Sequence, residues 1–131
     1  MKLDEWADNL SLIEEGHDKL AYLVDLAQKA TTLPKELRTD ERLIGGCISK
    51  IWVDVGVVED TVKVYYDSDA MITKGITSIV ADCFSDISVA EAKQITFEDF
   101  QKLNIQQLLT PQRRNGLGNL IETIRKKVHV L

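Results

Sequence analysis

Cys47 is the residue of this sequence whose type and surroundings best suit covalent chemistry. It lies in the run Gly45-Gly46-Cys47-Ile48-Ser49, just before a predicted strand. Two glycines allow a tight turn, including backbone conformations with positive φ, and leave the main chain uncrowded. A thiol on such a turn can project from the protein and reach another protein's active site, where its thiolate is the nucleophile. An inert cysteine at a strand edge explains the local pattern equally well.

The second cysteine, Cys83, shares an apolar helix face with Ile76 and Val80. A cysteine in that register is predicted to be a core residue that behaves as a small hydrophobe. The two cysteines have no ligand-type spacing, and His17 and His129 lie at opposite ends of the chain, so no metal site is predicted. No phosphate-binding loop or dinucleotide motif is present either, and no cofactor is predicted.

Charged residues at two helix starts are the other candidates for function. In Asp67-Ser68-Asp69, helix capping is the stronger explanation for at least one carboxylate, and a second exposed acid could serve an interface. Arg113 and Arg114 fall in the first turn of the last predicted helix, where each exposed cation opposes the helix dipole at a cost of roughly 0.3–1 kcal/mol. A bound anion, carboxylate or thiolate would offset that cost, and a solvated pair is the alternative.

The elements that position these residues are predicted from hydrophobic periodicity. Apolar side chains recur at helical spacing in three segments, and two segments alternate as strands do, joined by Glu59 and Asp60 as a hairpin turn. The predicted elements are a helix over 15–30, a short strand over 42–44, strands over 51–57 and 62–66, a helix over 72–83, short capped helices beginning near 88 and 96, and a helix from 111 to 128. This order predicts one α+β domain over residues 1–131, with an antiparallel sheet packed against helices.

Glycines fall inside the middle and the last predicted helices. Gly75 lies in the middle helix, and Gly116 and Gly118 lie in the last one. Each glycine costs roughly 1 kcal/mol relative to alanine in a helix interior. Close approach of another backbone at these positions would explain them.

Composition limits the classes of function. The chain has 131 residues and a formal net charge of −5, which argues against non-specific nucleic-acid binding because that requires clustered positive charge. The N-terminal residues are acidic, unlike a signal peptide, and no apolar run could span a bilayer. These features predict a cytoplasmic protein with free thiols and no membrane association.

Four stretches, taken in chain order, resemble the SufE family of sulfur acceptors, which includes the similar CsdE group. They are Gly-Cys-Ile-Ser-Lys-Ile-Trp at 46–52, Asp-Ser-Asp-Ala at 67–70, Lys-Gly-Ile at 74–76 and Leu-Thr-Pro-Gln-Arg-Arg-Asn-Gly-Leu at 109–117. The resemblance covers nearly the whole chain and implies an α+β fold related to the NifU-type iron–sulfur scaffold. One departure is Ile48, where the family commonly has glutamine.

The resemblance also implies a function and a site. Cys47 would accept persulfide sulfur from a pyridoxal-phosphate-dependent cysteine desulfurase, and Asp69 and Arg113 match charged positions of the family motifs. The sulfur would pass to a downstream acceptor or iron–sulfur scaffold, and the protein would need no cofactor of its own. Contacts with the partner are expected from Gly45, Gly46, Ile48, Ser49, Asp69, Arg113 and Arg114.

Two other classes of function remain as alternatives. An iron–sulfur scaffold needs several thiolate ligands, whereas one exposed cysteine is expected here. A stand-alone thiol enzyme pairs its cysteine with a base, often histidine, and neither His17 nor His129 is near Cys47 in sequence. The leading hypothesis is therefore a sulfur-transfer accessory protein with a single reactive cysteine.

Overall fold

The computed structural model describes residues 2–30, 33–45, 49–109 and 111–131, with the backbone alone described at 106, 112 and 113. In these ranges the α-helices and strands are α1 (Lys2–Ser11), α2 (Gly16–Lys29), β1 (Ile51–Val58), β2 (Thr61–Ser68), α3 (Met71–Phe84), α4 (Val89–Gln94) and α5 (Pro111–His129). Short 3-10 helices cover Lys35–Leu37, Glu98–Leu103 and Gln106–Leu108. The predicted α+β class, with helices packed against an antiparallel sheet, is confirmed.

The predicted hairpin is confirmed. Strands β1 and β2 pair in antiparallel register from Ile51 opposite Ser68 to Val58 opposite Thr61. The connecting Glu59 and Asp60 have φ values of 52° and 65°, the left-handed backbone that a tight two-residue hairpin turn requires. The short preceding strand is reduced to a few contacts along the other edge of β1, including a bridge between Leu43 and Trp52.

The helices pack in sequence around this hairpin. Helix α2 contacts α3, α3 contacts β2, and α5 contacts both β1 and α4. The apolar faces predicted for α3 and α5 are buried, except for the half-buried Ile72 at the start of α3, and α2 lies within one residue of its predicted bounds. Helix α1 is not predicted by periodicity because only Leu3 and Leu10, two turns apart, are buried on it.

Gly75 is the point at which α3 crosses α2. A Cβ atom at Gly75 would lie 2.1 Å from the backbone oxygen of Leu23, so the two helices could not approach as they do with any larger residue. The expected close backbone approach is thus confirmed at Gly75. It is wrong at Gly118, where the nearest atom to a Cβ would be a Phe97 ring carbon at 3.6 Å. Gly116 is buried, and for it the expectation stays a prediction.

Candidate functional site

A backbone hydrogen bond joins the residues on the two sides of the segment that carries Cys47. The Ile44 amide donates to the Ile51 carbonyl oxygen at 2.8 Å, so the chain is paired immediately before and immediately after residues 45–50, which we call the Cys47 loop. Gly46, Cys47 and Ile48 lie outside the residues that the structure describes. The geometry of the site is therefore that of the two ends of this loop, and we call Gly45 its N-terminal flank and Lys50 its C-terminal flank.

The C-terminal flank is held by the junction between β2 and α3. The Lys50 amide donates to Asp69 Oδ1 at 2.9 Å. In return, the Asp69 amide and the Ser68 hydroxyl donate to the Lys50 carbonyl oxygen at 3.1 and 2.8 Å. Three hydrogen bonds thus join two stretches, 46–52 and 67–70, that are distant in sequence.

Capping was expected to explain at least one carboxylate of Asp67-Ser68-Asp69, and this prediction is wrong because Asp69 is not the N-cap of α3 and Asp67 lies farther from the helix. Ala70 occupies the N-cap position, with no side-chain cap among the described residues. The Asp69 carboxylate instead accepts from Lys50 in the neighbouring segment, because Asp69 lies one residue too early for the cap and its side chain points back to the loop. The exposed carboxylate is thereby placed beside Lys50, three residues after Cys47 in the chain.

Asp67, the first acid of the same stretch, is structural. Its carboxylate is buried at 3% exposure and forms ion pairs with Arg38 and Lys74, the latter at 3.1 Å. Arg38 also lies over the Trp52 ring, 5.9 Å from its centroid. A buried carboxylate is tolerated when it is paired in this way, so capping explains neither acid of the stretch.

The N-terminal flank is held from α5. The Asn119 carboxamide donates from Nδ2 to the Gly45 carbonyl oxygen at 2.9 Å, across 74 residues of sequence. Sequence reasoning missed Asn119, because one polar residue on a helix surface gives no local signal of a partner so distant. The φ of Gly45 is not left-handed, so the positive φ considered for this turn does not occur there, and a Cβ would meet nothing within 4 Å. The expected uncrowded backbone is confirmed at Gly45.

Helix α5 begins at Pro111, as predicted, and the preceding Thr110 lies outside the described residues. The Arg114 side chain is exposed, and its Nε donates to the Leu109 carbonyl oxygen at 3.1 Å. This bond offsets part of the unfavourable dipole interaction at the helix start. The Arg113 side chain falls outside the described part of the chain, so its contact with a partner stays a prediction.

Ser49 is the other described member of the predicted partner surface in this loop. It is only 9% exposed, so its side chain offers little area to a partner. Its neighbour Lys50 is exposed. That Ser49 contacts a partner stays a prediction. The side chain of Lys50 is more accessible to a partner than that of Ser49.

Cys83 is a core residue, as predicted. It is 3% exposed, and burial raises the pKa of its thiol to about 12, with the negative charge of Asp82 adding to the effect. A thiol with such a pKa is almost entirely protonated at neutral pH and is a poor nucleophile. Cys47 is therefore the cysteine left for thiol chemistry.

The raised pKa of Cys83 predicts a loss of stability in alkali. Well below pH 9 the thiol is protonated in both states, whereas between about pH 9 and 12 the unfolded chain releases the proton and the folded chain largely keeps it. We expect the wild-type free energy of unfolding to fall by up to about 4 kcal/mol more than that of Cys83→Ala across this window. Urea unfolding at a series of pH values measures the free energy of unfolding of both proteins, and subtracting the Cys83→Ala values removes the contribution of all groups that the two proteins share. Equal slopes would contradict it.

Neither a metal site nor a membrane span is found in the described ranges. Their His, Cys, Asp and Glu side chains form no group of three or more that could hold a metal ion. No helix there is long and apolar enough to cross a bilayer. His17 and His129 are both exposed, as predicted.

Comparison with known proteins gives a consistent family. The model of the SufE family, described as an Fe-S metabolism associated domain, matches residues 4–128. An uncharacterized SufE-like protein of Rhizobium meliloti is 31% identical over 95% of this chain and 93% of its own length. The cysteine desulfuration protein SufE of Wigglesworthia glossinidia brevipalpis is 31% identical over 94% of this chain and 87% of its own.

A plant relative and a solved structure complete the comparison. SufE-like protein 1 of Arabidopsis thaliana, chloroplastic/mitochondrial, is 32% identical over 96% of this chain, which spans 34% of that longer protein. The solution structure of a hypothetical protein from Thermus thermophilus superposes with a TM-score of 0.80 at 16% identity, over 98% of this chain and 94% of that one. That likeness supports the fold, and the family match over residues 4–128 supports the relationship. The chain belongs to the SufE family and is thereby associated with iron–sulfur metabolism.

Proposed function

We propose that this protein accepts sulfur on Cys47 from the persulfide of a pyridoxal-phosphate-dependent cysteine desulfurase, stimulates that enzyme, and passes the sulfur on for iron–sulfur cluster assembly. The observation that carries the proposal is the hydrogen bonding of Lys50 to Asp69. It joins the stretch that contains Cys47 to the Asp-Ser-Asp-Ala stretch, two segments that the family resemblance links only by order. A reducing compartment such as the cytoplasm would keep the thiol free.

The transfer is a thiol–disulfide type of exchange. The Cys47 thiol loses its proton to solvent, and its thiolate attacks the outer sulfur of the desulfurase persulfide. A new S–S bond forms at Cys47 as the S–S bond of the desulfurase breaks, and the desulfurase cysteine leaves as a thiolate. The sulfur keeps its oxidation level, so no redox cofactor is required. A downstream thiolate then removes the sulfur from Cys47 by the same exchange.

The two alternatives are less well supported. An iron–sulfur scaffold would need several available thiolates, yet Cys83 is buried with a pKa of about 12. A stand-alone thiol enzyme would need a base, and both histidines are exposed, at the ends of the chain. A small substrate turned over without any partner would favour the enzyme, and an absorbance band after anaerobic reconstitution with iron and sulfide would favour the scaffold.

Intact-mass analysis tests the proposal directly. The protein is incubated with an active cysteine desulfurase and cysteine, and its mass is expected to rise by whole sulfur atoms that a reducing agent removes. Samples lacking cysteine, or containing a desulfurase that cannot form its persulfide, are expected to show no gain. An unchanged mass beside a desulfurase that does carry persulfide would contradict the proposed function.

Replacement of Asp69 by alanine is expected to weaken desulfurase stimulation more than folding. Its carboxylate is exposed and accepts one backbone hydrogen bond instead of capping α3, so the free energy of unfolding should fall by no more than about 1 kcal/mol. Stimulation is measured by sulfide release, and Asp25→Ala, an acid on the surface of α2, is the matched control. Normal stimulation by Asp69→Ala would remove Asp69 from the partner surface. Arg113→Ala is expected to weaken stimulation in the same way.

A further inference from the structure

The two flanks of the Cys47 loop are held by different elements. Lys50 is bonded to Asp69 and Ser68 at the start of α3, as described above. Gly45 is bonded to Asn119, which projects from the N-terminal half of α5. The segment 46–49 connects the two held positions.

Asn119 is well placed to fix the N-terminal flank. The next two residues of α5, Leu120 and Ile121, are buried in the core, so the backbone that carries the carboxamide is rigid. A donor on a rigid element restrains its acceptor more than a donor on a loop would.

We infer that Asn119 is a positioning residue for sulfur transfer: its carboxamide holds the Gly45 peptide and so sets the place from which Cys47 meets the partner persulfide. The inference rests on the proposed function for its catalytic consequence, but the restraint itself is a property of the free protein. Nucleophilic exchange requires the attacking sulfur in line with the bond that breaks, and a small misplacement lowers the rate steeply.

The test uses matched substitutions on one helix. Asn119→Ala removes the donor, and Asn119→Asp keeps the shape while placing an acceptor against the Gly45 carbonyl. The same two changes at Asn115, an exposed residue one turn earlier on α5, are the controls. Because both positions lie on the helix surface, all four variants should fold, and a Cys83 thiol that stays unreactive toward alkylating reagents would show an intact core.

The first measurement is hydrogen exchange in the protein alone. In both Asn119 variants the Ile44 amide, which donates to the Ile51 carbonyl oxygen one residue before the held Gly45 peptide, is expected to exchange about two- to tenfold faster. Amides of β1, and all amides in the Asn115 variants, should exchange as in the wild type. Unchanged exchange of the Ile44 amide would overturn the inference whether or not the protein transfers sulfur.

The second measurement is the rate of sulfur transfer against protein concentration. Loss of positioning predicts a maximal rate lower by about two- to tenfold with an unchanged half-saturating concentration. A raised half-saturating concentration with a normal maximal rate would make Asn119 a partner contact instead and overturn the inference. If the wild type accepts no sulfur at all, the proposed function fails, and hydrogen exchange alone decides on Asn119.

Discussion

Replacement of Cys47 by serine is expected to abolish sulfur loading completely. The hydroxyl of serine forms no persulfide, and the remaining cysteine, Cys83, is buried with a thiol pKa of about 12. Neither residue can then act as the nucleophile toward a partner persulfide. Incubation with a cysteine desulfurase and cysteine, followed by intact-mass analysis, should show no species heavier than the unloaded protein.

The matched control is Cys83→Ser, which should load as the wild type does. It makes the same atomic change at the other cysteine. Any sulfur that Cys83 takes up in unfolded molecules would be missing from this variant. Loading of Cys47→Ser to the wild-type level would place the acceptor elsewhere and contradict the assignment. Loss of loading in both variants of a folded protein would mean that Cys47 does not act alone.

Replacement of Gly75 by alanine is expected to destabilise the fold by about 3 kcal/mol or more, as overpacking between rigid elements does. The added Cβ would meet the Leu23 backbone oxygen at 2.1 Å and its carbonyl carbon at 2.7 Å. Backbone atoms cannot turn aside as a flexible side chain does, so α2 and α3 must separate and the buried contacts between them loosen. Equilibrium unfolding in urea measures the loss.

Gly118→Ala is the matched control on another helix. The same methyl group meets the Phe97 ring at 3.6 Å, an ordinary contact, and alanine has the higher helix propensity. We expect this variant to gain about 0.5–1 kcal/mol of unfolding free energy. If Gly75→Ala were as stable as the wild type, the close crossing of α2 and α3 would be wrong.

The amino-acid sequence by itself determined those features whose physical causes are local. Strand alternation and the Glu59-Asp60 turn predict the hairpin, because side-chain period and turn backbone depend on neighbouring residues. Ser88 before Glu91 predicts the cap of α4, where the Ser88 hydroxyl accepts from the Glu91 amide at 3.1 Å. The core register of Cys83 follows in the same way from helical spacing.

The two acids near the site show where local reasoning fails. An aspartate before a helix can accept either from that helix or from a distant amide, and its sequence position is the same in both cases. Burial with Arg38 and Lys74 decided the role of Asp67, and the approach of Lys50 decided that of Asp69. The helix α1 was missed for a related reason, since its docking depends on two buried leucines and not on a continuous apolar face.

Tertiary structure alone decided which elements hold the Cys47 loop. The sequence identifies Cys47 by its glycines and by its family resemblance. No residue near Cys47 in the sequence indicates a contact with Asn119, whose hydrogen bond to Gly45 spans 74 residues. Such a contact exists because core packing brings the surface of α5 beside the edge of β1. Hydrogen bonds between distant surface groups follow from that packing and leave no periodic trace in the chain.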